Sequence, residues 1–365
     1  MEIRAAEFVV SDASLPPVSS TAWSPIQLPY APRGETFARL PQVIWIRFRL
    51  KRPGIPDDLA LYVFRHNVSL EIFMNADRLG GMRPDTSPPP VGWNYPTLVH
   101  IPLSAWRDDT YFYIRLQGGV FGAMMSPVLF GSAAAIEALY NNRYFWQIET
   151  SKWTCGLGLI LGTFTLWLWS RRRQDQMYGL FAASCFSWSV VTLYMFLPIL
   201  PVRLDLWLGI VHTAGSWSSF FLVSFLTRAG GFNLPRMERS LLVITCIATL
   251  LHFVYPQDYF FAIAYGFHGI GILYLLYMCL LCVADAIRRP GGTTTWFSFA
   301  FAAMVGLMAH DWYYFIVSPS EDYIHASHRM QLSIPAMLVI LFAHLINRFV
   351  SALNEYERLN RDLES

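Results

Sequence analysis

The sequence predicts a β-plus-α membrane protein: an antiparallel β-sandwich over residues 1–145, a seven-helix transmembrane bundle over 146–350 and a short coiled-coil helix over 351–365. Three observations carry this. Of 365 residues, 54% are hydrophobic and 14% charged, well below the roughly 25% charged of soluble domains. The apolar excess is uneven, with prolines and strand-like runs before about Gln147 and long apolar blocks after it. Arginines gather on alternate loops between those blocks.

The N-terminal part comes first. Val43 to Leu50, Leu59 to Phe64, Leu70 to Met74 and Tyr111 to Leu116 are short, rich in β-branched and aromatic residues, and separated by Pro, Gly and Asp clusters. In Trp45-Ile46-Arg47-Phe48-Arg49-Leu50 apolar residues alternate with arginines, the mark of a strand with one wet face. Asn75-Ala76 is expected to turn a hairpin, because asparagine tolerates the left-handed region. No basic cluster is interleaved with aromatics here, so nucleic acid is excluded as a partner. All five cysteines lie in the apolar blocks, which excludes a disulfide framework, and Cys279-x-x-Cys282 is expected to pack rather than exchange electrons. Met1 to Ser20 show no signal peptide, so Met1 is expected to be a late start or a processed boundary.

Seven blocks can cross a hydrocarbon core of about 30 Å: Trp153 to Ser170, Met177 to Leu197, Leu204 to Thr227, Ser240 to Tyr255, Tyr259 to Ala286, Thr295 to Val317 and Met330 to Val350. Arg171-Arg172-Arg173 follow the first, Arg228, Arg236 and Arg239 the third, Arg288-Arg289 the fifth, and Arg348 ends the seventh. The alternate loops hold only Arg203 and Arg329. Positive residues stay inside, which places the N-terminal domain extracytoplasmic and the C-terminus cytoplasmic, as a multi-pass protein of a cell membrane.

Beyond the last block, Leu345, Phe349, Ala352, Tyr356, Leu359 and Leu363 recur at spacings of 4 and 3, a coiled-coil seam with Glu355, Glu357, Arg358 and Arg361 beside it. The stripe predicts a homodimer; an amphipathic tail on the membrane surface is the competing reading.

Trp45-Ile46-Arg47-Phe48, Leu59-Ala60-Leu61-Tyr62 and Leu70-Glu71-Ile72-Phe73-Met74-Asn75, with the seven apolar blocks, resemble the bacterial seven-transmembrane receptors with diverse intracellular signalling modules. The resemblance implies that the outer domain is a jelly roll similar to carbohydrate-binding modules. It departs from the family at Asn75-Ala76, where Asn-Gly is common. Arg348-Phe349 through Glu364 resembles the linker that leads, in that family, into a histidine kinase or diguanylate cyclase. The implied function is a sensory receptor of bacterial signal transduction, passing a small-molecule signal, carbohydrate among the candidates, to a cytoplasmic signalling module. No kinase or cyclase motif lies within the 365 residues, and no catalysis or cofactor is expected of them.

Two groups of residues are candidate sites. Trp93, Asn94 and Tyr95, beside Pro88-Pro89-Pro90, offer aromatic faces and an amide for a sugar or apolar ligand, or pack over the end of the sandwich. Asn67-Val68-Ser69 fits a glycosylation sequon. His212, His252, His268, His310 and Asp311 fall in the outer halves of their spans, where ionisable groups are costly enough to mark function or hydrogen-bond a neighbouring helix. They suit a proton-responsive cluster better than a metal site, with His310-Asp311 foremost. A transporter, a channel or a metal- or proton-responsive membrane protein is the alternative class. No internal repeat favours transport, and no H-E-x-x-H pattern favours a metalloenzyme. Retinal is excluded, because the two lysines, Lys51 and Lys152, lie outside the middle of any span.

Overall fold

The computed structural model describes residues 1–17, 22–30, 43–52, 58–67, 69–82, 91–107, 110–118, 123–254, 257–290, 293–314 and 329–364. Pro88-Pro89-Pro90 and Val68 of the sequon lie outside the described residues. Among the described residues ten strands precede the helices: β1 (Glu2–Ile3), β2 (Ala5–Val10), β3 (Ser24–Gln27), β4 (Val43–Arg49), β5 (Leu59–Val63), β6 (Ser69–Met74), β7 (Asp77–Gly81), β8 (Thr97–Ile101), β9 (Tyr111–Gln117) and β10 (Val128–Ser132). They form two antiparallel sheets, one of order β1-β10-β5-β8 and one of order β3-β2-β4-β9-β6-β7. Side chains alternate across a strand, so each sheet turns one row inward. Ile44, Ile46 and Phe48 of β4, Phe112, Ile114 and Leu116 of β9, and Leu61, Val63 and Val128 of the smaller sheet join a single hydrophobic cluster. Trp106 lies edge-on to Phe112 of one sheet and Phe130 of the other, with ring centroids 5.3 and 5.8 Å away.

The expected turn forms between β6 and β7, with Asn75 at φ 52°. Its side chain contributes as well: Asn75 Oδ1 accepts the Tyr111 amide at 3.1 Å while its own amide donates to the Tyr111 carbonyl at 2.8 Å. Asparagine can thus replace the commoner glycine-containing turn and anchor it to β9. At the far end of β7, Gly81 has φ 107°, and a Cβ there would collide with the Leu70 carbonyl.

After β10 the chain enters α1 (Ala133–Tyr144), a π-helical stretch at Phe145–Glu149 and then α2 (Thr150–Arg171) without interruption, 39 helical residues in all. Helix therefore begins inside the region expected to belong to the soluble domain. The reason is local, since Ala133-Ala134-Ala135-Ile136-Glu137-Ala138-Leu139 are good helix formers and no glycine or proline separates them from the first apolar block. Ile136 and Ala133 pack on Ala60, Tyr62 and Phe64, covering the outer face of the smaller sheet.

The other helices among the described residues are α3 (Gln176–Phe196), α4 (Leu204–Ala229), α5 (Pro235–Val254), α6 (Gln257–Arg288), α7 (Thr293–Trp312) and α8 (Met330–Glu364). Among the described residues six helical segments are long and apolar enough to cross a membrane, which marks a multi-pass membrane protein. The helix outside that set is α7, where the sequence predicts a further span. Its 20 residues open on Thr293-Thr294-Thr295 and close on His310-Asp311, and these polar ends dilute its apolar middle. Phe181, Phe225, Phe297, Phe301, Met304, Leu341 and Leu345 form the centre of the helical core. Ile160, Leu250 and Phe299, each more than 60% exposed, point away from it. In water such a surface would aggregate; in a bilayer it faces acyl chains. All five cysteines are unpaired thiols.

The chain divides into two compact units, one comprising Met1–Ser151 with Met195–Trp207 and the other the remaining helical segments. In the helical unit polar ties sit at the arginine-rich helix ends. Arg228 pairs with Glu238 at 2.9 Å, Thr294 donates to Asp285 at 2.9 Å, and Arg348 of α8 lies 3.5 Å from Asp175.

Candidate functional site

Trp93, Asn94 and Tyr95 sit in the turn before β8. Asn94 is buried, and Gln147 Nε2 donates to its backbone carbonyl at 2.9 Å. The Tyr95 hydroxyl donates to the Phe196 carbonyl at 2.6 Å, and the Val91 amide donates to the Pro198 carbonyl at 2.7 Å. Both acceptors belong to Met195–Trp207, part of the same unit. The Tyr95 ring also meets Tyr144 edge-on at 6.3 Å. Trp93 is half-buried. Two of the three candidates therefore hold this turn against its own unit.

The turn lies against His66, because a Cβ on Gly92 would strike that imidazole. His66 Nδ1 faces the Asn67 carbonyl at 2.6 Å and Nε2 faces the Thr97 hydroxyl at 3.1 Å. A carbonyl can only accept, so Nδ1 carries the proton and Nε2 takes the hydroxyl's. Burial pushes this histidine down to about 4, opposed by the bond to Asn67. Unfolded, the ring titrates near 6.5, so below that pH the unfolded chain binds a proton that the native chain refuses. Stability contributed by neutral His66 is complete above pH 6.5 and falls as pH drops toward 4, by about 3 kcal/mol at most. Hydrogen exchange of the β5 and β8 amides in the full chain should show that loss between pH 7 and 4.5. His66→Gln should flatten it; an unchanged slope would place the titrating group elsewhere.

A second array lies on the outer face of the larger sheet. The Arg47 guanidinium is 4.3 Å from the Trp23 ring and 5.0 Å from the Tyr111 ring, and its Nε meets Glu7 at 2.6 Å. Arg49 stacks over the other part of the row, 3.9 Å from Tyr111. Beside them Arg115 and Arg78 share Glu71, at 3.4 and 2.8 Å. Burial raises the Tyr113 hydroxyl's pKa, with Arg47 acting the other way. Planar cations stacked on aromatics suit flat polar or anionic groups. Alternation in Trp45 to Leu50 announced the wet face but not the aromatics that come to it from Trp23 and β9.

In the helical unit three of the five polar candidates meet. His212 Nδ1 of α4 lies 2.8 Å from His268 Nε2 of α6, one ring donating and the other accepting. His252 of α5 bonds Thr213 through Nδ1 at 3.1 Å, its ring centroid 6.0 Å from that of His212. Phe260 closes over both, at 5.3 and 5.9 Å. A hydrogen-bonded imidazole pair can accept one proton and share it, which is the chemistry this grouping offers. Among the described residues no three or more His, Cys, Asp or Glu side chains are arranged to hold a metal ion.

The other two candidates pair with each other at the end of α7. His310 Nδ1 is 3.0 Å from Asp311 Oδ1, and the His310 ring lies 4.6 Å from that of Tyr314. Asp311, 5% exposed, also accepts the Arg329 backbone amide, at 3.0 and 2.9 Å from its two oxygens.

No protein-family model matches the chain, and no curated protein matches it. Among solved structures it is similar to a β-glucuronidase of Faecalibacterium prausnitzii, at 11% identity and a TM-score of 0.24. That match takes in 32% of this chain and 20% of the enzyme, so the chain spans about a fifth of the enzyme's length.

Proposed function

We propose that this chain is a transmembrane sensory receptor whose two N-terminal sheets form a jelly-roll-like sandwich outside the cytoplasm and whose α8 carries the signal inward. In this reading α7 is the additional span, giving seven, and the arginine-rich ends face the cytoplasm. The observation that carries it is the course of α8. This helix is 35 residues long, packs Leu341 and Leu345 fully into the bundle, and then leaves it with Tyr356 and Leu359 exposed. A helix held at one end and bare at the other is suited to transmit a shift to whatever joins it. The outer ligand must bind two states of the receptor unequally.

Orientation and output are measured separately. Cysteine variants at Trp93 and Ser365 in intact bacterial cells should react with an impermeant thiol reagent only at Trp93; reaction at Ser365 would reverse the topology. A fusion of the chain to a histidine kinase, exposed to a panel of sugars and small organic molecules, should give a ligand-dependent change in autophosphorylation. A fusion whose activity is indifferent to every compound, and to Trp93→Ala and Arg49→Ala alike, would count against the receptor.

The histidine grouping favours a second reading, a proton-responsive membrane protein. For that, output should depend on pH in the native fusion and lose the dependence in His212→Gln/His268→Gln.

A further inference from the structure

We infer that the helical unit holds a specific site for an anionic phospholipid, with an acyl chain in the groove beside α2 and α3 and a headgroup at Arg171-Arg172-Arg173. The groove has a volume of about 460 Å³, within the size range of small-molecule sites, and Leu166, Leu180, Phe186 and Phe221 give it apolar walls. Trp169 and Gln176 line it as well. Gly179 opens the space, because a Cβ there would come within 3.0 Å of the Trp169 ring.

Polarity changes at the groove's end. The Trp169 indole Nε1–H is buried and has no hydrogen-bond partner, although a tryptophan at a membrane boundary normally directs that donor to one. Arg173 stacks on the same indole at 4.3 Å. Arg171 and Arg173 are exposed, and Arg172 is half-buried. Apolar walls beside three guanidiniums within three residues match one kind of occupant: a hydrocarbon chain joined to a phosphate. A zwitterionic lipid would fill the groove but leave the guanidiniums uncompensated. Basic pockets between transmembrane helices bind anionic lipid headgroups.

The site also touches the outgoing helix. The Arg172 guanidinium lies 6.0 Å from the Phe349 ring of α8, and Arg348 Nη1 donates to the Met177 sulfur at 3.1 Å. A headgroup engaging Arg172 would therefore act where α8 leaves the bundle.

Native mass spectrometry of the full chain, released from nanodiscs holding equal phosphatidylglycerol and phosphatidylcholine of identical acyl chains, tests this. Retained phosphatidylglycerol should exceed phosphatidylcholine by about tenfold or more. Arg171→Gln/Arg173→Gln should abolish the preference, and Trp169→Leu, which removes the ring on which Arg173 stacks, should reduce it. Ala183→Phe, which fills the groove, should lower retention of both lipids. Equal retention of the two lipids by the native chain would overturn the site. So would an undiminished preference in Arg171→Gln/Arg173→Gln or, should that variant fail to fold, in Trp169→Leu.

Discussion

Asp311→Ala is expected to lower the melting temperature of the detergent-solubilised chain by about 10 °C, the largest effect of any single substitution among the five polar candidates. The interactions that end on this one buried carboxylate include the Arg329 amide on each of its oxygens and His310 on Oδ1. Removing it leaves the amide without its acceptor and the imidazole without its neighbour. An orphaned buried donor costs about 1–3 kcal/mol, and a hydrogen bond accepted by a charged carboxylate contributes about 1.5–3 kcal/mol. In a unit of this size each kcal/mol is worth about 2–4 °C. Asp311→Asn should recover roughly half, because a carbonyl oxygen still accepts the Arg329 amide. His310→Ala should cost far less, since that ring keeps 26% of its side-chain surface exposed. A melting temperature for Asp311→Ala within a degree of the native value would mean that the carboxylate is not fastening α7 to the start of α8.

This duty of Asp311 was only half legible in the sequence. The cost of burying a carboxylate among apolar residues singled it out, but its partner at Arg329 is 18 positions away and contributes a backbone amide, which no pattern of side chains announces. The histidines show the same limit. His212, His252 and His268 could be placed at one depth, yet only the rotation of α4, α5 and α6 about their axes brings them together. Strands fared better because alternation is local. Val43 to Leu50 and Tyr111 to Leu116 are seen as Val43–Arg49 and Tyr111–Gln117, paired from Val43↔Gln117 to Arg49↔Tyr111. The helix at Ala133–Tyr144 has no dominant apolar face, which is why hydrophobic periodicity did not separate it from the loops. Trp23 next to Arg47 is a contact between a loop and a strand 24 positions apart, and it needs the fold to exist.

The remaining large effect concerns α8, where a single stripe changes surroundings along its length. Leu345 is wholly buried and Phe349 packs on the bundle core, whereas Tyr356 and Leu359 on the same stripe are 71% and 51% exposed. In the receptor reading proposed above, the residues beyond Ala352 continue the stripe so that a second helix can pack on it, and a second copy of the chain would supply one in matching register. Cysteine at Leu359 should therefore cross-link between chains under mild oxidation in the membrane, and cysteine at Asn360, one position off the seam, should do so several-fold less. Inserting four residues after Ala352 turns everything beyond it by about 40° on a 3.6-residue helix and moves the seam off its partner. Output of a fused kinase should then change sharply, while a seven-residue insertion, which restores the face, should return it toward the native level. Val350 and Leu353 offer a competing stripe, 47% and 46% exposed, and they make the contrast informative. If Leu353→Cys cross-links as readily as Leu359→Cys, or if Leu359→Cys and Asn360→Cys react alike, α8 is not a parallel seam, and the exposed apolar residues lie instead against the membrane surface.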